Sequence, residues 1–332
     1  MKIPGRVAIL GSGSWATAVA KIVQQNGADM YWYMRNQERI DQFKCLGHNP
    51  AYLSSVRFDV SRIMFTTDIN EAVKRSDTVI FAMPSPYLKQ HAEKIEASFE
   101  DKVVISVIKG IVADDNTTIT EYLQDKFGLK DNQIATLSGP SHAEEVAYER
   151  LTYLTVGCRD EEVAEEIADF FANYFVHTTT STDIIGVQYA GVLKNIYAIA
   201  SGIISGLKYG DNFHAVLVAN SIREMKNFIA HIAPLDNRNI TESVYTGDLL
   251  VTSYSKFSRN HLFGTMIGKG YSVKTAQLEM EMIAEGYYGT KCIKEINQKY
   301  GISIPIVDCV YNILYKRMSP FVEIKLLSDL LR

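Results

Sequence analysis

The stretch RVAILGSGSWATAVAKIVQQNGADMYWYMR, residues 6–35, decides how the first part of this chain folds. An apolar run at residues 6–10 leads into a glycine-rich turn, and an apolar-periodic segment follows at residues 15–25. This order predicts a strand, a tight turn and a helix. A second apolar run, ADMYWYM, then predicts the next strand of a βαβ unit.

The turn has small residues at the spacing of the GxGxxG or GxGxxA fingerprint of dinucleotide-binding folds. Gly11 allows the tight turn, Gly13 lets the backbone approach a pyrophosphate, and Ala16 allows close packing of the helix. The N-terminus of the helix then offers N–H groups to the phosphates. Taken alone, the turn leaves open an ordinary strand-to-helix corner that binds nothing.

The second strand ends at Arg35, where strict NAD use would place an acidic residue that binds the ribose 2′-hydroxyl. An arginine at this point stacks on the adenine or faces a 2′-phosphate. The sequence therefore permits NADP as well as NAD, and a solvated surface arginine is the alternative.

The composition indicates an ordinary folded protein of two domains. The chain has 332 residues, of which 47% are hydrophobic and 22% charged. Its net charge of −4 gives no general attraction to nucleic acid.

The cysteines and apolar runs favour a cytoplasmic protein without a metal. The four cysteines are widely separated and lack metal-ligand spacing, so we predict reduced thiols and no metal site. We find neither a signal peptide nor an apolar run long enough to span a bilayer, and we expect no integral membrane association.

Apolar runs alternate with amphipathic stretches through the first half, as in a parallel doubly wound sheet. A helix is expected at residues 86–99, and HTTTST at residues 177–182 is typical of a loop or a sheet edge. Beyond that segment helices dominate. We predict an α/β Rossmann-type domain at residues 1–185 and an all-helical domain at 186–332, with helices at residues 184–208, 214–231, 272–284, 289–299, 304–317 and 321–331.

Four residues follow predicted strands at the edge where open parallel sheets bind ligands. Pro84 ends FAMP, Lys109 ends SVIK, and Gly139 and Ser141 lie in SGPSH, where they offer donors to an oxyanion or phosphate. A strand terminator, a solvated loop and a capped helix are the respective alternatives.

The first long helix of the second half contains Lys194 and Asn195 within the apolar segment QYAGVLKNIYAIASGIISGL. Burial in a cleft would lower the pKa of such a lysine enough for proton exchange, whereas snorkelling to solvent is the alternative. Downstream, an acidic residue such as Asp248 could hold the lysine, and Arg259 has donors that match phosphate oxygens. A helix cap and an ordinary polar loop are the alternative for the polar residues grouped there, which are Asp248, Thr252, Ser258, Arg259 and Asn260.

Together these motifs resemble a known family. GSGSWATAVA, IKGI, SGPSHAEE, GVLKN, GDLLVT and SRN occur in the order and approximate spacing of the soluble NAD(P)-dependent glycerol-3-phosphate dehydrogenases, from residue 6 to about 290. The resemblance implies hydride transfer with NAD(P) between sn-glycerol 3-phosphate and dihydroxyacetone phosphate, supplying phospholipid synthesis. The apolar surface of the helical half favours a homodimer.

The resemblance also implies roles for individual residues. Lys194 would accept the proton of the C2 hydroxyl, with Lys109, Asp248 and Thr252 completing the catalytic set. The substrate-binding set would be Lys109, Gly139, Ser141, Lys194, Asn195, Asp248, Ser258, Arg259 and Asn260. The cofactor-binding set would be Gly11, Gly13, Ser14, Trp15, Arg35, Pro84, Lys109, Ala143, Arg259 and Glu285.

Two other functions remain open at this point. A related dehydrogenase of the 6-phosphogluconate or 3-hydroxyacid type would share both domains, and a non-catalytic dinucleotide-sensing protein would need the first domain alone. The chain also departs from the family at FHAVLVAN, residues 213–220, and at GYYGT, residues 286–290, which bears on substrate affinity.

Overall fold

The computed structural model describes residues 3–113, 115–280 and 283–332, and the chain forms two compact units. Unit 1 runs to Ile108 and resumes at Ile119–Ile184, whereas unit 2 comprises Lys109–Thr118 and Ile185–Arg332. Of the helices that the described residues form, none combines the length and apolar character that crossing a lipid bilayer demands.

The strands, in chain order, are β1 (Val7–Leu10), β2 (Met30–Tyr33), β3 (Ile63–Thr66), β4 (Thr78–Phe81), β5 (Val103–Ser106), β6 (Ile111–Val112), β7 (Thr117–Thr118), β8 (Ile134–Ser138), β9 (Thr152–Gly157) and β10 (Val176–Ser181). The helices of unit 1 are α1 (Ser14–Gln25), α2 (Gln37–Leu46), α3 (Ile69–Lys74), α4 (Leu88–Ala92), α5 (Ile119–Phe127), α6 (Ala143–Ala147) and α7 (Glu161–Phe171).

The described residues of unit 1 form an eight-stranded sheet in the order β10-β9-β8-β5-β4-β1-β2-β3. Strand β1 pairs in parallel with β2 on one side and β4 on the other, so the chain order reverses at this point. All four residues of β1 are buried because helices cover both faces of such a sheet. The predicted Rossmann-type fold is confirmed, and the reversal point is where such sheets bind ligands.

The sheet is parallel, as predicted, at every pairing of its described strands except one, where β9 runs antiparallel to β8. The connection between them contains only α6, which at about 1.5 Å per residue is shorter than the strand it would have to retrace. The chain therefore turns back along β8. The segment predicted as a loop or sheet edge is the edge strand β10, parallel to β9.

The expected helix at residues 86–99 is also wrong beyond α4. The Asn70 amide oxygen accepts hydrogen bonds from the N–H groups of Glu96 and Ala97, at 2.7 and 3.0 Å, and these N–H groups are therefore not available to continue the helix. Strand β3 was not predicted at all.

Unit 2 is built around α8 (Ile184–Gly206), which is buried from residue 186 to residue 204. The other helices are α9 (Asp211–Ile232), α10 (Asp248–Tyr254), α11 (Arg259–Gly268), α12 (Val273–Glu279), α13 (Glu285–Tyr300), α14 (Pro305–Leu314) and α15 (Pro320–Ser328). The segments predicted at 214–231, 289–299, 304–317 and 321–331 correspond to α9, α13, α14 and α15. The prediction at 272–284 corresponds to α12, and its residues 281–282 lie outside the described residues. Helices α10 and α11 were predicted only as a polar cluster.

Residues 109–118 belong to unit 2, although the predicted boundary placed them in the first domain. Strand β6 pairs antiparallel with β7, so unit 2 is not entirely helical. Ile111 is buried in the core of unit 2, and Asn116 donates a 3.0 Å hydrogen bond to Glu295 on α13. Lys109, which precedes β6, therefore belongs to unit 2.

Helices α8 and α11 pack with their backbones in close approach. Gly202 and Gly206 of α8 face Gly264 and Gly268 of α11, and a Cβ at any of these positions would overlap main-chain atoms of the other helix. This contact fixes the register of the two helices, and with it the position of the residues that begin α11.

Candidate active site

The glycine turn of unit 1 is held tightly by its neighbours. Gly11 has φ +129°, and a Cβ there would lie 2.6 Å from the carbonyl oxygen of Ala82, so glycine is required. Trp32 Nε1 donates a 2.7 Å hydrogen bond to the Gly11 carbonyl. The turn after β1 is thus fixed from both β4 and β2.

Gly13 caps α1 at its N-terminus without a side-chain hydrogen bond, and the position of an added Cβ meets nothing within 4 Å. The backbone therefore lines open space at the positive end of a twelve-residue helix. This arrangement fits the pyrophosphate of a dinucleotide, with Gly11, Gly13, Ser14 and Trp15 as the residues that would hold it.

We expect Gly13→Ala to raise the Kd for NADPH about tenfold or more, because the methyl group occupies space that the pyrophosphate needs, while the melting temperature changes little. Gly11→Ala provides the contrast. It is expected to destabilise unit 1 by about 1–3 kcal/mol, since its Cβ meets the Ala82 carbonyl. Fluorescence titration and thermal unfolding distinguish the two, and an unchanged Kd in Gly13→Ala would contradict the cofactor assignment.

The other predicted residues of unit 1 follow further strands of the same sheet. Arg35 follows β2 and is exposed, Pro84 follows β4, and Ala143 begins α6 after β8. Trp15 Nε1 donates a 3.0 Å hydrogen bond to the carbonyl of Val107, just beyond β5. Their roles in cofactor binding stay predictions.

The SGPSH turn is internally bonded. Ser141 Oγ donates a 2.8 Å hydrogen bond to the carbonyl of Gly139, and a Cβ on Gly139 would lie 2.7 Å from the carbonyl oxygen of Tyr153 on β9. Close packing against β9 therefore explains why glycine occupies position 139. The substrate contacts predicted for Gly139 and Ser141 stay predictions.

Unit 2 brings the four predicted catalytic residues together. Lys194 on α8 pairs with Asp248 on α10, and its Nζ also donates to Thr252 Oγ1 at 3.1 Å. Lys109 Nζ reaches the other oxygen of Asp248 at 3.2 Å. Lys194 is only 5% exposed and Asp248 1%, which excludes the snorkelling alternative.

The electrostatics of this cluster favour proton exchange at neutral pH. Burial, opposed by the Asp248 carboxylate and assisted by the Lys109 ammonium, lowers the pKa of Lys194 to about 7. Burial acts to raise the pKa of Asp248, but the ammonium groups of Lys109 and Lys194 outweigh burial and hold that pKa below its ordinary value. The carboxylate therefore stays ionised while the lysine can release its proton.

Hydrogen bonds link two further predicted residues, Asn195 and Asn260, to this cluster. Asn195 Nδ2 donates to the Lys109 carbonyl and Asn260 Nδ2 donates to Asn195 Oδ1, both at 2.9 Å. Ser258 is the N-cap of α11 and accepts a hydrogen bond from the N–H of His261. The residues that begin α11 and α13 are Arg259 and Glu285, respectively.

Sequence reasoning missed two residues that support these sites. Asn49 Nδ2 donates to the Ser12 carbonyl and to Thr17 Oγ1, at 3.2 and 2.8 Å, and so braces the glycine turn. The N–H of Gly286 donates to Asn260 Oδ1 at 2.9 Å. An Asn-Pro pair and a helix-start glycine indicate only a turn and a boundary, so neither contact had a local signal.

Comparison with known proteins identifies the family. A family model described as the NAD-dependent glycerol-3-phosphate dehydrogenase N-terminus matches residues 6–164, and one described as its C-terminus matches residues 183–325. The chain belongs to the NAD-dependent glycerol-3-phosphate dehydrogenase family. This membership disfavours the 6-phosphogluconate or 3-hydroxyacid alternative.

Relatives within the glycerol-3-phosphate dehydrogenase family match over nearly the full chain. The glycerol-3-phosphate dehydrogenase [NAD(P)+] of Staphylococcus carnosus is 35% identical over 324 residues, 97% of each chain. That of Lysinibacillus sphaericus is 34% identical, covering 96% of this chain and 94% of its own. The crystal structure of glycerol-3-phosphate dehydrogenase from Coxiella burnetii has a TM-score of 0.90 at 26% identity, covering 99% and 100%.

Proposed function

We propose that this protein interconverts sn-glycerol 3-phosphate and dihydroxyacetone phosphate with NAD or NADP, and that Lys194 exchanges the proton of the C2 oxygen. The observation that carries the proposal is the buried carboxylate of Asp248 shared by the ammonium groups of Lys109 and Lys194. Family membership supports the substrate, since the relatives' names specify glycerol 3-phosphate.

The hydrogen bonds of Lys194 leave one position for substrate. An ammonium group has three N–H donors, and Asp248 and Thr252 accept two of them. The hydroxyl hydrogen of Thr252 is donated to the carbonyl of Asp248 at 2.6 Å, so Thr252 acts toward Lys194 as an acceptor only. The third position is an N–H in the ammonium form and a lone pair in the amine form.

Lys194 can therefore exchange a proton with the substrate in both directions of the reaction. During oxidation, the neutral amine of Lys194 takes the C2 hydroxyl proton as the C2–H bond breaks; during reduction, the ammonium returns it. When bound, the nicotinamide accepts or donates the hydride. General acid–base help of this kind contributes about 10²- to 10⁴-fold.

The charges of the cluster also favour an anionic substrate. Two lysines share one carboxylate, so the cluster carries excess positive charge whenever both are protonated. Arg259 is half-buried, and its guanidinium has no hydrogen bond or ion pair within the described part of the chain. We assign Arg259, with Ser258 and Asn260 beside it, to the substrate phosphate, because a guanidinium fork matches phosphate oxygens.

The purified protein is expected to oxidise NADPH or NADH when dihydroxyacetone phosphate is added, which absorbance at the nicotinamide band measures directly. Comparing NADH with NADPH in the same assay shows which cofactor the enzyme prefers, and so tests the role predicted for Arg35. If neither is turned over although both bind, the dinucleotide-sensing alternative replaces the proposed enzyme.

We further propose a homodimer that pairs α15 with α15 of a second copy. Val322 and Leu326 of α15 are exposed on one face, and Phe321 beside them is 58% exposed. An antiparallel copy would bring the basic Arg317 near the acidic Asp329 of the partner helix. Light scattering should give a dimer mass for the wild type and a monomer for Leu326→Glu; a monomeric wild type would refute the proposal.

The cellular role is proposed from the family. We place the protein in the cytoplasm, since Cys45, Cys158 and Cys309 are free thiols, as expected in a reducing compartment. There it would supply glycerol 3-phosphate for phospholipid synthesis.

A further inference from the structure

A chain of three amide hydrogen bonds runs beside the lysine pair of unit 2. The Gly286 N–H donates to Asn260 Oδ1, Asn260 Nδ2 donates to Asn195 Oδ1, and Asn195 Nδ2 donates to the carbonyl of Lys109, each at 2.9 Å. Each asparagine accepts a hydrogen bond at its amide oxygen from one neighbour and donates one from its amide nitrogen to the next. A flipped amide would break both of its bonds, so the chain has one direction.

The chain is built into the packing of three helices. It links the start of α13, the start of α11 and the middle of α8, and both asparagines are buried. A Cβ on Gly286 would lie 2.5 Å from the carbonyl oxygen of Asn195, so only glycine allows this approach. The last link leaves the helices and holds the main chain of Lys109.

The hydrogen bond from Asn195 fixes the main chain of Lys109 at the start of the 109–118 segment. Because the lysine side chain is long and flexible, a fixed main chain limits where its ammonium group can lie. Its Nζ is 3.2 Å from Asp248, the carboxylate that also pairs with Lys194. While Lys109 stays there, its positive charge opposes a second positive charge on Lys194. If Lys109 moved away, the whole carboxylate would serve Lys194 and its protonated form would be favoured.

We propose that Asn195 is a positioning residue: by holding the carbonyl of Lys109 it keeps the Lys109 ammonium on Asp248, beside Lys194. At that position the charge of Lys109 favours loss of the proton from Lys194. The effect on turnover depends on the proposed function, whereas the effect on the titration of Lys194 does not. A direct role of Asn195 in substrate binding is the competing explanation.

Within the described part of the chain, two charged side chains act on Lys194. Asp248 on α10 and Lys109 ahead of β6 act on it directly, and burial adds to the effect of Lys109. Arg259 on α11 and Glu285 on α13 flank the amide chain. The variants below leave all four charges in place.

The test is an NMR titration of protein labelled with ¹³C at lysine Cε, with the Lys194 signal assigned by its loss in Lys194→Met. The wild type should titrate at about 7. Asn195→Ala should raise that midpoint by about one pH unit, a tenfold change in the acid dissociation constant. Asn260→Ala, which cuts the chain one link earlier, should shift it in the same direction and serves if the first variant does not fold.

Asn297→Ala is the matched control, because Asn297 is likewise a buried asparagine of unit 2 whose amide group makes two hydrogen bonds. Both of these bonds are to the main chain of Ile302. It should leave the midpoint of Lys194 unchanged. The pH profile of glycerol 3-phosphate oxidation should move to higher pH in Asn195→Ala, with kcat recovering in alkaline buffer.

An unchanged Lys194 midpoint in both Asn195→Ala and Asn260→Ala would overturn the proposal. A raised KM at every pH without any shift would instead assign Asn195 to substrate binding. A wild type without turnover would refute the proposed function, while the NMR titration would still test the positioning role.

Discussion

Replacing Lys194 by methionine is expected to lower kcat about 10²- to 10⁴-fold in both directions. Methionine has a similar volume and fills the buried space on α8, but it has no nitrogen that exchanges a proton with the C2 oxygen. The dinucleotide turn belongs to the other unit, so the Kd for NADPH should change little. Steady-state kinetics with dihydroxyacetone phosphate and a nucleotide titration measure the two effects.

Lys291→Met is the matched control, because Lys291 is a half-exposed lysine of the same unit, paired with Glu295 on the surface of α13. Its kcat should equal that of the wild type. If Lys194→Met kept more than about a tenth of wild-type kcat, general acid–base catalysis by Lys194 would be refuted.

Asp248→Asn is expected to have the second large effect, on stability as well as on activity. Removing one partner of a buried ion pair costs about 3–5 kcal/mol, and here two ammonium groups lose their shared carboxylate. The kcat should fall at least about 10²-fold because Lys194 loses the group that orients it.

The stability loss should depend on pH with a defined sign. Without Asp248, the folded pKa of Lys194 falls further below its unfolded value, so the unfolded chain binds more protons over the intervening range. Stability then rises with pH, and the deficit of Asp248→Asn should be larger at about pH 6 than at about pH 9. Urea unfolding at both pH values measures it.

Asp308→Asn, which removes the partly exposed partner of Lys294, is the control and should cost about 1 kcal/mol or less. If Asp248→Asn and the wild type had equal unfolding free energies at about pH 6, the electrostatic account of the cluster would be contradicted.

The sequence was sufficient for features that depend on local pattern. The turn at Gly11 and Gly13 was predicted because tight backbone approach demands small residues at fixed spacing. Lys194 was singled out because a charge in an otherwise apolar helix is costly to bury, and the structure buries it. The roles assigned to these residues are still predictions.

Features that depend on distant parts of the chain were not predictable. The helix expected at residues 86–99 ends early because Asn70, far away in sequence, captures two N–H groups. Residues 109–118 join unit 2 through buried Ile111, although they lie between segments of unit 1. The amide chain through Asn195 and Asn260 joins residues up to 177 positions apart, from Lys109 to Gly286.

The most direct test of the central claim is the pH dependence of kcat/KM for glycerol 3-phosphate oxidation. Because Lys194 must be neutral to accept the hydroxyl proton, and its pKa is about 7, the rate should rise with pH through an apparent pKa of about 7 and then level off. A profile that is flat from about pH 6 to about pH 9, or a rising limb that persists in Lys194→Met, would show that another group carries the proton.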